Sequence, residues 1–251
     1  MEKVFGLGLV FALCLHLPTA ASPTQQIAVK SFATWCQERN SVATTTRHTI
    51  DILLKEADTE NCQRADRKLS SFVSLSLIDR QISDLKPLSS LNNLVFLTLS
   101  DNQIVDLTPL SRLGNLTSLQ LDQNQIIVIK PLAGLSNLTS LYLDRNQIVD
   151  LQPLAKLNKL TELNLCDDLI ADLKPLAGLN NLTSLYLNSN KIIDIKPLAK
   201  LSKLTSLYLN RNQIVDIQPL AQLRNLTQLY LNRNQMAFKT CPLKPESICR
   251  F

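Results

Sequence analysis

The chain has 251 residues, 45% of them hydrophobic and 19% charged, with a formal charge of +5. That is enough apolar material for one large or two small domains, and it excludes a disordered chain. The mild basic excess suits anionic surfaces or partners without specifying a fold, and only five glycines leave no room for a Gly-rich phosphate loop.

The chain begins MEKVFGLGLVFALCLHLPTAAS: a lysine, an apolar run from Val4 to Leu17, then Pro18 and small residues. This predicts a secretory leader over residues 1–21, cut after Ala21. The run falls short of the ~20 residues that a membrane-spanning helix needs, and no second apolar span follows. The expected product is a secreted, periplasmic or cell-envelope protein with no membrane span. An exported chain meets no nucleic acid, so none is expected as a partner.

Residues 22–71 precede a repeat and read as helical. Thr45 or Thr46 can cap a helix carrying Ile50, Leu53, Leu54 and Ala57 on one face, and Cys62, Ala65 and Leu69 suggest a second.

From Phe72 the sequence repeats every 22 residues without a slip. Units start at Phe72, Leu94, Leu116, Leu138, Leu160, Leu182, Leu204 and Leu226, so the array spans residues 72–236. Within a unit the apolar positions are 1, 4, 6, 11, 14, 17 and 20, as in Leu182, Leu185, Leu187, Ile192, Ile195, Leu198 and Leu201. No helical or strand period fits that spacing throughout. Alternation at positions 4 to 6 makes a short strand. Proline at position 16, from Pro87 to Pro219, opens a helical turn but cannot continue a strand ladder, and so marks the outer wall. One unit cannot fold alone: seven buried side chains at ~1.5 to 3 kcal/mol each do not offset ~1 to 2 kcal/mol of backbone ordering at every residue. Stability must come from stacking.

The unit carries L-x-x-L-x-L-x-x-N-x-I, and with its D-[LI]-x-P-L-x-x-L second half it resembles the bacterial internalin-type leucine-rich repeat. The segments HTIDILLKEADTENCQRADRKLSSF before the array and CPLKPESICRF after it resemble the caps of small exported cyanobacterial repeat proteins. The resemblance implies an α/β solenoid: an arc with a parallel sheet on its concave side, short 3-10 or irregular segments on its convex side, and an α-helical N-terminal cap. It also implies action through protein contacts on the concave face. No wall anchor or immunoglobulin-like segment follows in the sequence, so the adhesin role of that group is not carried over.

Position 9 is Asn in six of eight units, from Asn102 to Asn234, and is read as a structural amide serving backbone groups in the bend. Arg80 and Asp168 are the departures, and a carboxylate at Asp168 cannot donate. Position 13 is Asp in six of the seven complete units, with Val128 the exception. Aligned carboxylates suggest a cation channel, but capping of the next turn is the favoured reading.

The two ends of an open stack need covers. Cys36 and Cys62 sit in the first and are expected to join. Cys241 and Cys249 bracket a loop in the second, residues 237–251, and are expected to join as well. Cys166, several strands from either, is the leftover thiol.

The free letters lie at positions 3, 5 and 7 of the strand, with 2 and 8 flanking. All four tyrosines, Tyr142, Tyr186, Tyr208 and Tyr230, stand at position 5, the last three in consecutive units. They read as an exposed aromatic ladder that stabilises the sheet and offers a binding strip. Charge is sorted along the same face. Asp79, Asp101, Asp122, Asp144 and Asp167 fall in the first five units, Arg211 and Arg233 near the other end, and Arg145 between. Such a gradient orients a dipolar or extended partner. The fifth unit, LNLCDDLIADL, interrupts the column with Asn164, Cys166 and Asp167, read as drift or as a local recognition or redox feature. The outer wall carries Lys130, Lys156, Lys159, Lys174, Lys196, Lys200 and Lys203, which suit an anionic cell-envelope polymer.

Catalysis is not expected. Beyond the leader there is one histidine, His48, in the cap, so no Ser/His dyad and no His-rich metal site assembles on the array. Neither a cofactor nor a metal is expected. The reading is a non-catalytic module binding a protein or peptide on its concave face. The alternatives are a glycan or cell-wall polymer binder and a structural or inhibitory periplasmic factor.

Overall fold

The computed structural model describes residues 29–251; the expected leader at 1–21 lies outside them. Among the described residues no helix is long and apolar enough to cross a membrane.

Three α-helices come first among the described residues. α1 (Phe32–Gln37) starts at Ser31, whose hydroxyl accepts the Thr34 N–H. α3 (Cys62–Ser70) starts at Asn61, whose Oδ1 accepts the Arg64 N–H. A Cys36–Cys62 disulfide ties these two helices together. Between them α2 (Thr44–Ala57) buries Ile50, Leu53, Leu54 and Ala57. The expected threonine cap is not there: Ala43 holds the N-cap position and makes no side-chain bond. The threonines face the array instead. Thr46 Oγ1 donates to Asp84 Oδ2 at 2.5 Å, and Thr49 Oγ1 to the Asp84 carbonyl at 2.7 Å. Docking the cap onto the first repeat takes the Thr46 hydroxyl, one of the two that could have served the helix end.

Each repeat then contributes a three-residue strand at positions 3 to 5: β1 (Ser74–Ser76), β2 (Phe96–Thr98), β3 (Ser118–Gln120), β4 (Ser140–Tyr142), β5 (Glu162–Asn164), β6 (Ser184–Tyr186), β7 (Ser206–Tyr208) and β8 (Gln228–Tyr230). All run parallel in sequence order, and each residue pairs with the one 22 positions on, as Leu185 with Leu207. A 3-10 turn with proline in its first turn forms the opposite wall of the seven complete units, from Lys86–Leu88 to Gln218–Gln222. The aliphatic positions named from the sequence are buried in every unit and make one continuous core, with Phe72 and Met236 only partly buried at its two ends.

Two side-chain columns fix the turns. Asn212 shows the first: its Nδ2 donates to the carbonyls of Leu187, in the previous turn, and of Leu209, in its own, while its Oδ1 accepts the Ile192 N–H. Asn102, Asn124, Asn146 and Asn190 repeat this. In the second, the position-13 aspartate accepts the N–H two residues on, as Asp194 from Lys196 at 2.9 Å. That pre-sets the proline turn, as the capping reading held.

The sequence stacks eight strands; the described residues form nine. After the last repeat the chain doubles back, and β9 (Cys249–Arg250) pairs parallel to β8, with the Leu231 N–H donating to the Arg250 carbonyl at 2.7 Å. The Cys241–Cys249 disulfide closes the returning loop. Its placement depends on that return rather than on any repeat signal, which is why the spacing did not show it.

Candidate functional site: the concave face

Leucines at positions 4 and 6 point into the core, so positions 3, 5 and 7 face the concave side. Tyr186, Tyr208 and Tyr230 stand in adjacent register. Their rings stack at centroid distances of 4.7 and 4.6 Å with interplanar angles of 21° and 8°, close to the spacing of the strands themselves. Each ring thus covers its neighbour. The tyrosines are half-buried rather than exposed as expected, and the faces they share within the trio are covered, which leaves edges and hydroxyls there. The Tyr208 hydroxyl donates to Gln228 Oε1 at 2.7 Å. Burial, and then the neighbouring phenols, raise its pKa.

Tyr142 stands apart, because Asn164 occupies the register between it and Tyr186. Burial first, and then the Glu162 carboxylate beside it, hold its phenol well above the usual range.

The acidic residues split by position. Asp122 and Asp144, at position 7, are half-buried on the face itself. Asp122 Oδ1 accepts from Ser100 Oγ at 2.6 Å, and Asp144 Oδ1 from Asn164 Nδ2 at 2.7 Å. Burial, followed by the Asp122 charge, raises the Asp144 pKa. Asp79, Asp101 and Asp167, like Arg145, Arg211 and Arg233, sit at position 8 and are exposed. All six have left-handed backbone, with φ between 52° and 58°, and so do Gln123 and Ser189 in the remaining units. Position 8 is therefore constrained by the bend that leaves the sheet, in addition to whatever its side chain does. Position 2 is also less free than expected. From Thr117 to Thr227 its hydroxyls approach the carbonyl of the preceding turn's position 2, as Thr183 to Thr161 at 3.0 Å. Position 7 is tied across turns as well, since Asn188 Oδ1 accepts the Asn210 N–H and Asn210 Oδ1 the Asn232 N–H, so positions 3 and 5 are the freest.

Asn164, Cys166 and Asp167 of the fifth unit are brought together at mid-arc. Cys166 is a free thiol, half-buried, with its N–H donating to Asn164 Oδ1. Burial, with the charges of Asp144 and Asp167 adding, pushes it up to about 11. It is a neutral thiol at physiological pH, contrary to what a redox feature would require.

Two residues of this face escaped the sequence reading. Phe96, at position 3 of the second unit, is 50% exposed; an aromatic in a column otherwise mostly serine was the available signal. Arg250 pairs with Tyr230 through β9 and, with Gln228 and Ser247, lines a recess of about 230 Å³ at the end of the ladder. It extends the basic end begun by Arg211 and Arg233.

On the outer wall Lys159 Nζ and Lys203 Nζ donate to Asn137 Oδ1 and Asn181 Oδ1. They are thus tied into a column of position-22 amides that also bond across turns, as Asn181 Nδ2 does to the Asn158 carbonyl.

A curved parallel sheet with a laddered outer wall and a varied inner face defines a leucine-rich repeat solenoid. A family pattern described as Leucine Rich repeats (2 copies) matches residues 114–156, 137–178, 180–222 and 202–239. Among solved structures, an internalin C2 of Listeria monocytogenes is 38% identical at a TM-score of 0.73, over 78% of this chain and 88% of that one. An internalin, inlF, of the same organism is 35% identical at 0.61, over 73% and 62%. A leucine-rich repeat protein of Leptospira interrogans is 26% identical at 0.63, over 69% and 52%. No curated protein matches the chain. The chain belongs to the leucine-rich repeat proteins of the internalin type.

Proposed function

We propose that the chain is an exported, non-catalytic module that receives an extended protein or peptide segment on its concave face. In this reading residues 22–71 and 237–251 are caps on an array over 72–236. The observation that carries it is the stacked trio Tyr186, Tyr208 and Tyr230 at the basic end of a face whose other half is acidic. Phenol edges and hydroxyls in a rigid row supply contact area at low entropic cost. Asp79, Asp101, Asp122, Asp144 and Asp167 against Arg211, Arg233 and Arg250 favour one direction of docking.

The stacking also separates this reading from glycan binding. A sugar packs on an aromatic face, and the faces within the trio are covered by one another. An anionic envelope polymer on the convex side is the weaker alternative, since Lys159 and Lys203 already serve neighbouring turns. Two disulfides among the described residues support an oxidising compartment.

The test is capture from a cell-envelope extract by the wild type and by the triple variant Tyr186→Ser, Tyr208→Ser, Tyr230→Ser. Two lost stacking pairs cost about 1 to 3 kcal/mol, so the thermal midpoint should move by no more than several degrees while capture disappears. Capture that persists in a variant with a collapsed midpoint would make the tyrosines scaffold alone.

A further inference from the structure

Position 12 of the repeat, directly after a buried isoleucine, is aliphatic in the six middle units: Val105, Ile127, Val149, Ala171, Ile193 and Val215. The five larger side chains are 52% to 56% exposed. At this level the backbone is laddered from turn to turn. The N–H of position 10 donates to the carbonyl of position 11 in the preceding turn, as Gln213 to Ile192 at 2.9 Å and Lys191 to Ile170 at 2.8 Å. Side chains on such a ladder form columns with a repeat of about 4.8 Å. Lying between the concave strand and the convex 3-10 turn, position 12 occupies a flank of the solenoid. The result is an aliphatic ridge across six turns, bounded by Ser83 in the first unit and Ala237 in the last.

The fifth unit shows that the ridge is continuous. Ala171 lowers it there, and in the same unit position 10 carries Leu169, 40% exposed, where the other units have Gln or Lys. Ile170 between them is buried, so Leu169 and Ala171 lie on the same side and the apolar surface is kept. Scattered exposed aliphatics need no explanation. A contiguous strip of roughly 500 Å² lies toward the upper end of the largest patch on an ordinary monomer.

We propose that this ridge is a self-association surface, on which a second copy of the chain packs about a two-fold axis perpendicular to the ridge. An isologous contact requires a surface that matches its own reverse. Reversed, the six positions pair Val105 with Val215, Ile127 with Ile193, and Val149 with Ala171, with Leu169 beside the smallest member. The perpendicular axis also superposes the curvature of the two arcs, whereas an axis along the ridge bends the copies apart. With the glutamines of position 10 as rim, each copy approaches the ~800 Å² that a partner buries in a standard interface. Both concave faces stay open. The position-13 aspartates of the two copies approach each other on the convex rim, so association tightens as salt screens them.

Sedimentation velocity of the chain at rising concentration and two ionic strengths reads this out. A dimer is expected whose dissociation constant rises on the order of a hundredfold in the double variant Val149→Thr, Ile193→Thr. Those substitutions keep β-branching at exposed sites and leave the fold intact. In a Cys166→Ser background, chains with Ile127→Cys mixed with chains with Ile193→Cys should form a disulfide-linked heterodimer. A chain that stays monomeric at millimolar concentration overturns the proposal, as does a dimer indifferent to the threonine pair or cross-linked only within the Ile127→Cys pool. Each readout is independent of partner capture on the concave face.

Discussion

Asp168 accepts the Ile148 N–H on Oδ1 at 2.9 Å, while its Oδ2 is buried with no partner. One turn to either side, Asn146 and Asn190 fill the same place and use their amide nitrogens to reach the carbonyls of Leu121 and Leu165. Asp168 substitutes an acceptor for that donor, which is why burial pushes its carboxyl up to about 7.

This has a signed consequence for stability. The folded pKa lies above the unfolded value of about 3.9, so folding favours the neutral acid, whose O–H can donate as the asparagine does. Ionisation then costs stability beginning as pH rises above about 4 and levelling off above about 7, by up to roughly 4 kcal/mol. Asp168→Asn should remove this slope and raise the midpoint most at pH 8. Urea unfolding of both chains at pH 5 and pH 8 checks it, and parallel profiles would refute the assignment.

Cys166 should be nearly inert. With its thiol pushed up to about 11, the thiolate fraction at pH 8 is small, and alkylation by iodoacetamide should run at least about a hundredfold slower than in an unstructured cysteine peptide. Mass spectrometry of timed samples measures it. Rapid labelling of the folded chain would mean that the fifth turn opens locally.

The tyrosine column should couple only where rings touch. A double-mutant cycle on Tyr208→Ala and Tyr230→Ala should return about 0.5 to 1.5 kcal/mol, since those rings lie 4.6 Å apart. The cycle on Tyr142→Ala and Tyr186→Ala should return about zero, because Asn164 separates them. Equal couplings in both cycles would contradict the observed stacking.

The core and the Asn and Asp columns were legible because each follows from residue type at a fixed spacing, and the two disulfides because each pair of cysteines shares one cap. Leu187 and Asn190 mean the same thing in every turn. What was illegible depends on conformation or on neighbours 22 residues away. Arg211 and Arg233 looked like free surface charges until the backbone showed position 8 to be left-handed in every unit, without a single glycine there. Thr183 looked like part of the open face, yet its hydroxyl faces the Thr161 carbonyl. The flank residues Val149 and Ile193 went unread because they follow a buried isoleucine and look like more core. Thr46 looked like a helix cap and instead docks the cap onto Asp84. Arg250 could not be placed by counting, since the return that brings it beside Tyr230 follows the repeat.

That return gives the last prediction. β9 covers the edge of β8 with two residues, held by the Leu231 N–H to the Arg250 carbonyl and by the Cys241–Cys249 link nearby. Removing the link with Cys241→Ser and Cys249→Ser frees a short loop and should cost about 2 to 3 kcal/mol, concentrated at this end because stability in a stacked array is a nearest-neighbour sum. Amide exchange at Leu231 should accelerate strongly while Leu121, several turns away, stays protected, and the bared edge should raise the tendency to aggregate. Hydrogen exchange followed by mass spectrometry separates the two ends. Uniform acceleration along the whole array would show instead that the caps and repeats unfold as one unit, and that β9 is not a local lid on the sheet.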